Sequence, residues 1–154
     1  MPPRVMSVPG VKETTSRAVA YLIWPEDNEI TAAATIEKLA RSDGNDKYKV
    51  WSRLEYWVDG GPPHDKHFHG WNEPGFEHCF VFKWNKGGAD KGMQRLYGTM
   101  FHPRQKTKGF RVCVLFSHCI KHGKYTDPQQ KRKAEALYSN PDIIAAVRKQ
   151  YSDK

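Results

Sequence analysis

The sequence predicts an α+β domain: a small antiparallel or mixed β-sheet packed against an N-terminal helical hairpin and C-terminal helices. The expected element order is β-α-α-β-β-β-α-α. Three observations carry this. Apolar residues recur at helical spacing between about residues 26 and 58, and the period then changes to two between about 80 and 120. After residue 126, two Asx-Pro pairs mark helix starts. A chain of 154 residues suits one domain with one sizeable core, and five Trp, seven Tyr and seven Phe are ample to fill it.

Residues 1–15, rich in Pro, Ser and Thr, read as an N-terminal arm of low order, leaving 16–154 as the single domain. Ala18 to Ile23 is a short apolar run ending at Trp24-Pro25, as a buried strand would. Glu26-Asp27-Asn28 offers N-cap candidates; Ala32, Ile36, Leu39 and Ala40 follow at helical spacing until Gly44. Lys47 to Val58 fits a second helix, with Tyr48, Trp51, Leu54 and Val58 on one stripe, and the two helices form the hairpin. The Gly/Pro/His-rich stretch 59–75 reads as loop. Strands are expected where Phe80, Phe82 and Trp84 alternate, from Arg95 to His102, and from Phe110 to about Ile120. In the second of these, Arg95, Tyr97, Thr99 and Phe101 share a face. In the third, Val112, Val114, Phe116 and His118 share one face, and Cys113 and Cys119 share one by the same parity. Asp127-Pro128 and Asn140-Pro141 then place a capping side chain before a proline at the first helical position.

Charge is distributed unevenly. Residues 1–82 carry nine Lys/Arg against twelve Asp/Glu, whereas 83–133 carry thirteen Lys/Arg against only Asp90 and Asp127. Such a block repels itself unless an anion spreads along it, and a polyphosphate backbone is the commonest such anion. No amphipathic basic helix accompanies it, so RNA is the expected partner rather than a membrane surface. No run of eighteen apolar residues exists and the N-terminus does not read as a secretory signal. Three cysteines (Cys79, Cys113, Cys119) with no CxxC spacing argue against a disulfide framework, and a cytoplasmic location is the expectation.

The segments Arg95-Leu96-Tyr97-Gly98-Thr99-Met100-Phe101-His102-Pro103, Phe110-Arg111-Val112-Cys113-Val114-Leu115 and His118 to Pro128 carry a resemblance. With the element order, they resemble the RelE/HigB superfamily of bacterial type II toxins, most of all its phage-derived HigB-like branch. Lys121, Lys124, Thr126, Asp127, Pro128 and Ala134 match the family's closing pattern of a Lys-rich turn, Thr-Asp-Pro and an Ala-containing helix. The sequence departs from the family in its N-terminal arm, its enlarged loop at 59–75 and its spread lysine pair. The resemblance spans about residues 18–138, and only 95–138 is motif-like.

That resemblance implies the toxin component of a type II toxin–antitoxin system: an endoribonuclease that cleaves mRNA, in many members on the ribosome, and is silenced by a cognate antitoxin protein. The chemistry implied uses no metal or other cofactor. The 2′-hydroxyl attacks the adjacent phosphate, so a base, a phosphorane-stabilising cation and an acid are needed. Arg95 and Arg111 would suit phosphate stabilisation through their donor forks. His102 and His118 would supply acid or base. Tyr97 would donate a proton or stack on a base, and Lys121 would position a phosphate. Lys83, Arg104, Lys106, Lys108 and Lys124 read as RNA-binding contacts to the backbone. His118, on a face with Val112, Val114 and Phe116, and Tyr97, on a face with Phe101, read more readily as core residues than as site residues. Two other functions stay open: a non-catalytic nucleic-acid or protein-binding module on the same fold, and a ParE-like gyrase inhibitor. His64, His67 and His69, with His78 and Cys79 nearby, would supply imidazole ligands to a metal, although their spacing matches no established zinc pattern and a solvent-exposed loop explains them as well.

Overall fold

The computed structural model describes residues 2–86, 92–121 and 128–153, with Lys86 and Lys121 described by backbone only. The apolar run at the start becomes β2 (Arg17–Ile23), and Arg4–Ser7, inside the expected arm, pairs antiparallel with it as β1. The arm is held because Val5, Val8 and Val11 are buried and the Trp51 indole N–H donates to the Pro9 carbonyl at 2.7 Å. Two helices follow, α1 (Ala32–Ala40) and α2 (Asn45–Val58). They make few contacts with each other: α1 packs over β2 and the sixth strand, and α2 over β2 and the fourth, so the sheet, not a hairpin partner, orders each.

The expected loop 59–75 contains a short strand, β3 (Phe68–Gly70), paired with β4 (Cys79–Lys86). Phe68 is wholly buried against Phe80, Phe82 and Tyr56, and that apolar contact fixes a segment whose polar composition reads as loop. Then come β5 (Gly92–Phe101), β6 (Arg111–Lys121), α3 (Pro128–Tyr138) and α4 (Pro141–Tyr151). The α4 start follows from Asn140, whose side-chain oxygen accepts from the N–H groups of Asp142 and Ile143. Asp127, the expected cap of α3, lies outside the described residues.

The architecture is α+β, with a six-stranded mixed sheet ordered β1-β2-β6-β5-β4-β3 and four helices. β6 pairs parallel with β2 and antiparallel with β5. The chain begins with two strands rather than one and has a strand before β4, so its order departs from the one expected. Both sheet faces are covered. One core joins Val19, Tyr21, Phe82, Leu96, Cys113 and Leu115 to α1 and α2 residues such as Ile36, Leu54 and Trp57. The other joins Ala20, Leu22, Val81, Tyr97, Val112 and Val114 to Ala134, Leu137, Ile143 and Val147 of α3 and α4. Strict alternation along each strand sends successive side chains to the two cores.

Among the described residues, alternation breaks once. In the β5–β6 ladder Tyr97 opposes Ser117 while Gly98 opposes Leu115, leaving Phe116 as the extra residue of a bulge. Gly98 meets this bulge because a side chain there would not fit: a Cβ would lie 2.5 Å from Cys113 Sγ and 3.2 Å from the Val114 carbonyl. Beyond the bulge the parity of β6 is reversed. His118 therefore faces α1, opposite to Val112, Val114 and Phe116, and Cys113 and Cys119 pack into different cores. The extra residue shifts every later side chain by one, which undoes both face assignments made by parity.

Candidate functional site

At the end of the sheet where β5 begins and β6 ends, polar residues occupy positions that elsewhere hold core. Registers place His69 of β3, Val81 of β4, Tyr97 of β5 and Ser117 of β6 in one row across the α3/α4 face. The next row holds Lys83, Arg95 and Cys119. Neighbouring strands are about 4.8 Å apart, so these side chains form one patch. Trp71 covers it, its ring 4.8 Å from that of His69 and stacked at 6.4 Å on Tyr97. Lys131 of α3 lies over the Trp71 ring at 5.7 Å.

Arg95 is 6% exposed, and its Nε is buried with no hydrogen-bond partner. Tyr97 follows two residues on along the same strand and faces the same way, and among the described residues Arg95 forms no ion pair with a carboxylate. Lys83, directly across the ladder, is also buried and donates to the Asp65 carbonyl at 2.9 Å. Two cations set side by side in a sheet repel, and a buried donor without an acceptor costs about 1–3 kcal/mol.

Burial pushes the Tyr97 hydroxyl up to about 12, so it remains protonated at neutral pH. Burial also lowers the His69 imidazole, helped by Lys83 and Arg95 and opposed by the Gly70 carbonyl and Asp65. His69 is thus favoured as a neutral proton acceptor close to the charges of Arg95 and Lys83. Composition alone placed His69 with the other loop histidines. The signal that separates it is the period-two pattern His67-Phe68-His69, with the central residue in the core.

The remaining expected site residues are distributed elsewhere. His118 lies on the opposite sheet face, both ring nitrogens engaged: Nδ1 with the Thr35 hydroxyl at 2.8 Å and Nε2 with Gln94 Oε1 at 2.7 Å. His102 and Arg111 sit at the far end of the strands, about 23 Å from Arg95 at about 3.3 Å per residue. Burial and the neighbouring Arg111 and His78 lower the His102 imidazole. Arg104 is locked in the fold: it stacks on Phe110 at 3.5 Å, donates to the Tyr151 carbonyl and pairs with Glu13. Lys106 and Lys108 are exposed on the same loop. Lys121 ends β6 by its backbone, and Lys124 lies outside the described residues.

The loop histidines do not converge on a metal site. His64 and His67 stack on one another at 5.0 Å while His69 turns to Trp71. The one group of potential ligands among the described residues is Glu77, His78 and Glu135, where His78 Nδ1 lies 2.8 Å from Glu135 Oε1 and the ring stacks on Tyr138 at 3.5 Å. Burial raises the Cys79 thiol to about 12, which leaves it a neutral core group. No helix among the described residues is long and apolar enough to cross a membrane. No family model, curated protein or solved structure matches the chain.

Proposed function

We propose that this protein binds RNA at the Arg95 end of its sheet and cleaves it as a toxin of the RelE/HigB kind, a cytoplasmic role held in check by an antitoxin. The observation that carries the reading is Arg95 itself, a nearly buried guanidinium set directly across the ladder from a second cation, Lys83, and on one face with Tyr97. A phosphate accepts two parallel N–H donors from a guanidinium, and a phosphorane accepts them more strongly. Trp71 supplies a flat surface for a base and neutral His69 an acceptor for the 2′-proton.

Expression of the chain is expected to arrest growth and leave mRNA fragments with 5′-hydroxyl ends; Arg95→Ala relieves both, and Arg95→Lys restores neither because a point charge lacks the fork. Intact mRNA in arrested cells would sink the cleavage reading. The dispersal of His102, Arg111 and His118 away from Arg95 favours a second reading, an RNA-binding module without cleavage. In that case purified protein binds single-stranded RNA in an Arg95-dependent manner and leaves it uncut.

A further inference from the structure

Beside α2, a hollow of about 540 Å³ opens between the helix and the loop that leads into β3. That size is within the ~300–1,000 Å³ of small-molecule sites. Arg53 and Tyr56 line it from the helix, and Pro62, Pro63, His64 and His67 from the loop. Adjacent residues of β3 separate it from the Arg95 patch: Phe68 enters the core under α2, and His69 turns to Trp71 on the other face.

The loop wall is held by its own backbone. The His64 carbonyl accepts from the His67 and Phe68 N–H groups, both at 2.9 Å, and this tight turn brings the His64 and His67 rings together at 5.0 Å and 30°. His64 Nδ1 accepts the Lys66 N–H at 3.2 Å, which leaves the proton of the neutral ring on Nε2 as a donor. On the helix wall, Arg53 Nη1 donates to the Lys49 carbonyl at 2.9 Å, and among the described residues the guanidinium forms no ion pair with a carboxylate. Burial lowers the His67 imidazole, and Arg53, His64 and Lys66 lower it further, so the groups acting on it are all basic; Asp65, on the same turn, acts on His69 instead. Tyr56 supplies an apolar wall. It is 53% exposed, and its ring lies against Gly61, where a Cβ would stand 2.6 Å from it.

We infer that this hollow binds a phosphate monoester of a flat apolar group, with its phosphate between Arg53 and the histidine pair and its ring against Tyr56 and the two prolines. A tetrahedral phosphate presents oxygens in several directions, which suits a guanidinium on one wall and imidazoles on the other better than the single plane of a carboxylate does. The Tyr56 ring offers an offset or edge-on contact to a second ring. Arg95 and RNA cleavage play no part at this site.

The full chain is titrated with phenyl phosphate, inorganic phosphate and benzoate, and the His and Tyr ring signals are followed by NMR. Phenyl phosphate is expected to shift the rings of Tyr56, His64 and His67 together, and to bind at least about fivefold more tightly than either control. His64→Ala with His67→Ala, both at exposed positions, should weaken it about fivefold or more. Arg53→Lys keeps the charge without the fork and should also weaken it, which gives a reading even where the histidine variant loses its fold. Arg95→Ala should leave binding unchanged, so this result and that of the RNA-cleavage experiment can fail separately. No ring shift at about 10 mM phenyl phosphate overturns the proposal, as does either control binding as tightly, or a folded variant binding as well as the parent chain.

Discussion

Arg95 places a charge where the sheet otherwise holds core. It interrupts a face otherwise made of Val81, Tyr97, Phe101 and Val114, and its Nε has no partner. Replacing it with a residue of similar bulk and no charge, such as Met, is therefore expected to hold or raise the melting temperature while abolishing RNA binding. A fall in both would make Arg95 purely structural. His69 carries a pH prediction at the same scale. Its folded pKa is lowered below the unfolded 6.5, so the unfolded chain binds more protons between those two values. Stability is then complete above about pH 6.5 and is lost as pH falls toward the folded pKa. Melting curves from pH 7.5 to 5 should decline, and His69→Gln should flatten that decline; an unchanged slope would show that His69 is not the group involved.

Among the elements, β6 decides which side chains share a sheet face. Its bulge exists because Phe116 is inserted opposite a glycine, and Thr31, ahead of α1, is tied to the distorted strand. Thr31 N–H donates to the Phe116 carbonyl at 2.9 Å, and its hydroxyl accepts from the His118 N–H at 2.9 Å. Gly98→Ala would press a methyl into Cys113 Sγ and should cost about 1–3 kcal/mol, lowering Tm by about 2–4 °C for each kcal/mol. A neutral result would mean that the bulge relaxes freely. At α4, Asn140→Ala removes an acceptor for two N–H groups and should cost about 0.5–2 kcal/mol in urea unfolding, against a few tenths for Asn140→Gly.

For the whole molecule, the structure changes the meaning of the charge asymmetry. Part of the basic block is answered from within by the acidic first half: Lys133 pairs with Asp27 and Glu29, Lys131 with Glu73, and Arg104 with Glu13. Burial alone would raise Asp27, but its bond to Lys133 lowers it, and Lys133 is raised in turn. Lys133→Ala should therefore destabilise the fold by about 1–2 kcal/mol, whereas Lys106→Ala and Lys108→Ala, both exposed, should change it by less than about 0.5 kcal/mol. Because Lys106 and Lys108 lie on the loop at the far end of the sheet from Arg95, changing both to Glu should leave Arg95-dependent RNA binding within about twofold; a larger loss would place the RNA contact at that loop instead.

Most elements were legible in the sequence, because hydrophobic period and capping are local properties. Ala18–Ile23, the alternations at 80–84 and 95–101, and Asn140-Pro141 each specify their element without help from elsewhere. β1 and β3 were not legible, since each is a short segment made a strand by a partner far away in sequence: β2 for Arg4–Ser7 and β4 for Phe68–Gly70. Of the candidate site, Arg95, Tyr97 and Lys83 could be named from sequence, and their cross-strand register now places them side by side. What only the tertiary structure decided was who joins them. His69 and Trp71 arrive through β3, and His118 leaves through a bulge that no single-residue pattern announces. The physical reason is that periodicity fixes the face of a side chain only while the ladder is unbroken, and pairing between distant strands determines where it breaks.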